Sequence, residues 1–172
     1  FDNNKYSVLS TAVGRPVEIQ AYADRIVVRQ DGTIVGEHAR SFGRNQTVYD
    51  PWHYVPVLAR KPGALRNGAP FQGWELPPAM ERVRRRLKAA DDGDRQMVSI
   101  LTAVLSDGLA AVETACQQAL AENVCSSAVI LNILARRREP TAAITIMTPE
   151  ALRLRHEPAA DCARYDSLRR AV

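Results

Sequence analysis

The chain has 172 residues, 46% of them hydrophobic, and a formal net charge of +4 at pH 7. That length buries one good core or two small ones, and that composition excludes wholesale disorder. No apolar run approaches the ~20 residues needed to span a bilayer, and three widely spaced cysteines with no C-x-x-C pair exclude a zinc knuckle or a dithiol redox motif.

The first third reads as an antiparallel meander. Tyr6, Val8 and Val13 are expected in a first strand, with Leu9 breaking its alternation. Gly14-Arg15-Pro16 turns the chain. Val17, Ile19 and Ala21 then alternate with Glu18 and Gln20, the period-two pattern of a half-buried strand. Arg25–Gln30 and Thr33–Ala39 flank Asp31-Gly32, a strong hairpin signal because a tight primed turn needs positive φ at both central residues. Gln46–Tyr49 supplies a short fifth strand. Five short strands with tight turns predict a small SH3-like antiparallel β-barrel over residues 1–50.

Residues 51–76 form a connector, and residues 77–139 read as a compact helical bundle. Pro77-Pro78 suits a helix start. Met80, Val83 and Leu87 make a narrow seam, and Met97, Ile100, Leu101, Val104 and Leu105 make a second stripe at helical spacing. Asp107 is expected to cap a third helix with Leu109, Val112, Cys116 and Leu120 inward. Ser126 or Ser127 opens a fourth, with Val129, Ile130, Ile133 and Leu134. Short connections between such helices imply an antiparallel bundle. Cys116 and Cys125 fall in these patterns as small buried hydrophobes of a reducing cytosol. From Pro140 the pattern weakens. Ala142–Met147 reads as a strand or arm, Thr148-Pro149-Glu150 as a one-turn helix start, and residues 140–172 as an extended C-terminal tail. The predicted class is α+β.

Charge is placed unevenly. Residues 1–50 carry as many acidic as basic groups, and the surplus comes mainly from Arg60, Lys61 and Arg66. Arg82, Arg84, Arg85, Arg86 and Lys88 cluster on one helix, which reads first as a solvated face and second as a phosphate-contacting one. Arg136–Arg138 suits a helix C-terminus, where cations complement the macrodipole. His38, His53 and His156 lack metal spacing and have no local nucleophile motif beside them, so His38 and His53 are expected to make structural hydrogen bonds. An enzyme assembled from these histidines and scattered acids is the weakest reading.

Four segments in order carry a resemblance: DNNKYSV at the start, GEHARSFGRNQ, DPWHYVPVLARKPGALRNGAPF over residues 50–71, and HEPAADCARYDSLR near the end. Together they span nearly the whole chain and resemble the C-terminal, non-catalytic region of IstA-type insertion-sequence transposases, distantly similar to Mu and retroviral-integrase-type proteins. The resemblance implies a β-barrel following an RNase H-like domain that cuts and joins DNA with divalent metal. No stretch here reads as that domain. The chain opens at Phe1 without Met, and the expectation is a fragment that begins after it, with no catalytic residue, metal ligand or cofactor of its own.

Within that reading, Arg40, Arg44, Asn45 and Gln46 occupy a Gly-containing loop whose side chains and N–H groups can reach phosphate oxygens. Arg60 and Lys61 extend the patch if the connector folds across the barrel. The helical part offers little for base readout, since only Ser126, Ser127 and Asn132 mark its fourth helix. Arg164, Tyr165, Asp166, Leu168 and Arg169 form a tail segment suited to a partner, because Tyr and Arg anchor interfaces. The implied partners are transposon-end double-stranded DNA, an IstB-type AAA+ ATPase and other transposase subunits, in the bacterial cytosol and away from membranes. A free-standing regulatory module binding DNA or the ATPase is the alternative.

Overall fold

The computed structural model describes residues 1–138 and 150–152. Its contacts group Phe1–Glu139 into one compact unit and Pro140–Val172 into another. Of the second, only a single 3-10 turn, Glu150–Leu152, falls among the described residues.

The first unit begins with two small sheets. Strands β1 (Lys5–Tyr6) and β5 (Thr47–Val48) pair in parallel. Strands β2 (Glu18–Ala21), β3 (Arg25–Gln30) and β4 (Thr33–Ala39) form an antiparallel sheet in that order. Asp31 and Gly32 take φ of 50° and 79°, the positive pair that a primed turn requires. Val28 faces Gly36 while Arg29 faces Ile34, so Val35 is an extra residue on β4. This bulge turns Val35 inward against Ile26, Val28 and Ala12, the small core of the sheet.

The α+β class holds, but no closed barrel is seen among these strands, so the expected SH3-like barrel is not confirmed. Two segments account for the difference. Val13 lies outside any strand, because the chain tightens into a 3-10 turn at Ser10–Ala12 and tucks Ala12 under the sheet. The buried Gln30 side chain holds it there, donating from Nε2 to the Ala12 carbonyl at 3.0 Å. On β2, Ile19 pairs with Val28 and shares its face, as the alternation predicts. Among the described residues no strand pairs with the outer edge of β2, however, and Ile19 stays 49% exposed.

The connector is part of the helical core. After a 3-10 turn at Pro51–Tyr54 come α1 (Val55–Leu58), α2 (Ala64–Asn67) and a 3-10 turn at Ala69–Phe71. Val55, Leu58, Leu65, Phe71 and Leu76 are buried with the longer helices in one apolar cluster. Trp52 meets Trp74 edge-on at 5.0 Å, which clamps the two ends of the segment together.

The longer helices are α3 (Pro78–Leu87), α4 (Gly93–Asp107), α5 (Leu109–Ala121) and α6 (Ser127–Arg138). Each buries most of its expected stripe: Met80, Val83 and Leu87, then Met97, Ile100 and Leu101, Val112 and Cys116, and Ile130, Ile133 and Leu134, with Val104, Leu120 and Val129 partly buried and Leu105 and Leu109 exposed against expectation. Ser126 caps α6, its Oγ accepting the Val129 N–H. Asp107 does not cap α5. It ends α4, where its carboxylate accepts from the Arg138 guanidinium of α6, and Gly108 at φ 82° makes the break. Leu105 and Leu109 flank that break and are exposed.

Candidate nucleic-acid interface

Residues 40–46 join β4 to β5, and their shape is set from the opposite end of the sheet domain. The buried Asn4 side chain donates from Nδ2 to the carbonyls of Ser41 and Gly43, at 3.1 and 2.8 Å. Its Oδ1 accepts the Gln46 N–H at 3.0 Å. Tyr6 adds its phenolic oxygen, which accepts the Ser41 N–H at 3.0 Å. One amide therefore satisfies three backbone groups of a single loop, and the loop tip is fixed before any ligand arrives.

The expected DNA-contact residues play different parts in this loop. Arg40 is engaged within the fold. Its Nη2 pairs with Asp2 at 3.1 Å, its Nη1 donates to the Tyr22 carbonyl, and its guanidinium sits 5.4 and 5.1 Å from the Phe1 and Phe42 ring centroids. Asn45 holds the left-handed conformation at φ 59° and donates its N–H to the Asn3 carbonyl. Gln46 accepts the Ser41 hydroxyl through Oε1. Arg44 is exposed and lines a hollow of about 380 Å³ with Asp2, Asn3, Ser41, Phe42 and Gly43. Phe42 stands 78% exposed at the tip.

Arg60 and Lys61 are exposed at the end of α1, which packs against α4. Among the described residues neither has a hydrogen bond or ion pair with the 40–46 loop. Asn4 and Phe42 were not singled out by the sequence. Asn4 acts on residues 37 and 39 positions away, and no local pattern announces that. An aromatic between a serine and a glycine in a turn was the available signal for Phe42. Arg164, Tyr165, Asp166, Leu168 and Arg169 lie outside the described residues.

His38 and His53 meet in one buried place, and His156 lies outside the described residues. Ser7 Oγ lies 2.8 Å from His53 Nδ1 and accepts the Asp50 N–H at 2.8 Å. His38 Nε2 donates to the Ser7 carbonyl at 2.6 Å, and the two imidazoles pack edge-on with centroids 5.4 Å apart. Asp50 stands 3.6 Å from His53 Nε2. Serine, histidine and aspartate also compose a hydrolytic triad, but here the Ser7 hydroxyl and carbonyl are buried and tie the end of β1 to β4 and the connector. Burial, the larger influence, pushes the His53 imidazole below its ordinary range, while Asp50 pulls it the other way. Cys116 is buried and its thiol is pushed up to about 12, mainly by burial, so it is unreactive. Among the described residues no group of three His, Cys, Asp or Glu side chains is placed to hold a metal ion. No helix among them is long and apolar enough to cross a membrane.

Residues 1–50 match the family described as Mu transposase, C-terminal domain. The whole chain is similar to a transposase for insertion sequences IS1326/IS1353 from Pseudomonas aeruginosa, 43% identical over 99% of this chain and 34% of the relative. A Shigella flexneri protein of the same description matches to the same extent. A transposase from Aminobacter aminovorans is 42% identical over 99% of this chain and 34% of its own length. The chain thus spans about a third of the length of the curated relatives it matches. No solved structure matches it.

Proposed function

The chain belongs to the insertion-sequence transposases, and from that premise we propose that it is a non-catalytic part of a DNA transposase that holds transposon-end duplex DNA. The 40–46 loop is the contact we assign. The observation that carries this is the Asn4 side chain, which fixes three backbone groups of the loop and so presents Arg44 and Phe42 without an ordering cost. Arg44 would bind a phosphate oxygen, and Phe42 would reach past the backbone into a groove. Arg40 positions the loop rather than contacting DNA.

Strand cleavage and joining, with the divalent metal they use, belong in this reading to an RNase H-like domain outside the chain. The residues here support that division, since Ser7 Oγ, His53 Nδ1 and His38 Nε2 are engaged in contacts within the fold. The helical part would support assembly with other transposase subunits, and the tail around Tyr165 would recruit an IstB-type AAA+ ATPase. Following ATP turnover by that ATPase with the full chain, and with a copy ending at Pro140, tests the last point. Equal stimulation by both would remove the tail from the partner contact.

Fluorescence anisotropy with a labelled transposon-end duplex tests the central reading. We expect saturable binding that weakens steeply with salt. Failure to bind at low salt would overturn the DNA-holding role.

A further inference from the structure

The buried seam of Met80, Val83 and Leu87 divides the rest of α3 into two flanks. Residues three and four apart on a helix share a flank. Arg82, Arg85 and Arg86 therefore run together along one flank, while Arg84 and Lys88 lie on the other with Glu81, which reaches Arg85 where the two flanks meet. The first flank faces α5. Arg82, Arg85, Arg86, Gln117, Leu120 and Ala121 line an open groove of about 450 Å³ between the two helices.

Three guanidiniums and one carboxamide stand in that groove, and no carboxylate lines it. Two of the cations are already oriented. Arg86 donates from Nη1 to Asn123 Oδ1 at 3.0 Å, from a residue held at φ 57° just past the end of α5. Arg85 Nε sits 3.3 Å from Glu81 across one helical turn, and its side chain is 72% exposed. Arg82 has no ion pair among the described residues. The hollow beside the 40–46 loop is different: it holds one lining arginine, Arg44, and the Asp2 carboxylate with it.

We propose that the α3–α5 groove is a second phosphate-binding face, taking the sugar-phosphate backbone of duplex DNA independently of sequence. This rests on the reading that the chain holds DNA, and adds where else the duplex is gripped. Charge complementarity selects the occupant. Guanidiniums bind phosphate oxygens bidentately, and a concave groove between two helices receives the ridge of a sugar-phosphate backbone, whereas base edges are read by an element that projects into a DNA groove. An acidic protein is the poorer fit, because stable protein interfaces centre on an apolar or aromatic anchor and the lining here supplies only Leu120 and Ala121.

The test is the salt dependence of binding to a random-sequence duplex. It compares the full chain with Arg82→Gln/Arg85→Gln, the charge-preserving Arg82→Lys/Arg85→Lys, and Arg44→Ala. Two lost phosphate contacts should make the slope of log K against log salt shallower by about 1.8. The lysine pair should keep the wild-type slope, and thermal melts should stay superimposable because both side chains are exposed. An unchanged slope in the glutamine pair, with wild-type binding intact, overturns the groove and leaves the loop reading standing. A slope that responds only to Arg44→Ala does the same. If the wild-type chain binds no duplex, both readings fall together.

Discussion

Gly93 lies against Leu87 so closely that a Cβ at position 93 would overlap the Leu87 carbonyl oxygen and carbon. This contact is where α3 ends and α4 begins, and the obstacle is backbone, which cannot rotate away. Helix propensity argues the other way, since alanine is favoured over glycine by about 1 kcal/mol inside a helix. Overlap with fixed backbone costs about 1–3 kcal/mol or more. Gly93→Ala should therefore lower the thermal midpoint. A raised midpoint would mean that α3 and α4 separate more easily than their packing implies.

Glu113 decides how α3 starts. Pro77 precedes the helix and supplies no side-chain cap, while the carboxylate of Glu113, from α5, accepts the N–H groups of Ala79 at 2.8 Å and Met80 at 3.0 Å. A negative charge at a helix N-terminus also complements the macrodipole. Glu113→Ala should cost about 1.5–3 kcal/mol in urea unfolding, the range for hydrogen bonds to a charged group. Glu113→Gln should fall between the two, because it keeps one acceptor and loses the charge. Equal stability of all three would assign the α3 start to Pro78 alone.

The sequence made the helices legible and the sheet domain only partly so, for physical reasons. Met80, Val83 and Leu87 repeat at helical spacing, so their shared face can be read without knowing what they touch. Asp31-Gly32 announces its turn because few other pairs tolerate positive φ twice. Ile19 is different. Alternation told which face it occupies, and it does share a face with Val28. Alternation cannot tell whether anything covers that face, and barrel closure depends on that cover. The ties of Arg40 within the fold were not legible for the same reason as Asn4 was overlooked. The groups that decide their roles, Asp2 and Tyr22 for one and the 41–46 backbone for the other, are distant in sequence.

His53 should make stability fall on mild acidification. Its folded-state imidazole sits below the ordinary 6.5, chiefly through burial, with His38 adding to that shift and Asp50 and the Ser7 contact opposing it. The unfolded chain therefore takes up the proton more readily. The contribution is fully present above pH 6.5 and is lost as pH falls below it through the folded value. Asp50 lies 3.6 Å from His53 Nε2 and favours a proton there, which makes the Ser7 hydroxyl the donor to Nδ1. The neutral ring then carries its proton on Nε2, toward Asp50. Urea midpoints taken above and one unit below pH 6.5 should separate for the wild type and converge for His53→Gln. Nitrogen chemical shifts should report the Nε2–H form, and an Nδ1–H form would reverse the direction of the Ser7 bond.

Arg40 and Arg44 stand four residues apart in one loop, and a double substitution would confuse what each does. Arg40 binds Asp2 and the Tyr22 carbonyl and lies between two phenylalanine rings, with only 25% of its side chain exposed. Arg40→Ala removes these bonds together with the cation–π contacts, so it should cost about 1–2 kcal/mol. Its effect on DNA affinity should follow the loss of loop order and leave the salt slope nearly unchanged. Arg44 is exposed, and neither a hydrogen bond nor an ion pair ties its side chain to another described residue. Arg44→Ala should leave the thermal midpoint alone and make the salt slope shallower by about 0.9, the signature of one phosphate contact. Arg40→Lys separates the two ideas further, because it keeps the charge and loses the forked geometry that reaches Asp2 and Tyr22 at once. If Arg40→Lys destabilises the fold while its salt slope matches wild type, Arg40 orders the loop and Arg44 touches DNA. If Arg40→Ala instead flattens the slope with an unchanged melt, the duplex displaces Asp2 from Arg40, and the assignment of the two arginines must be exchanged.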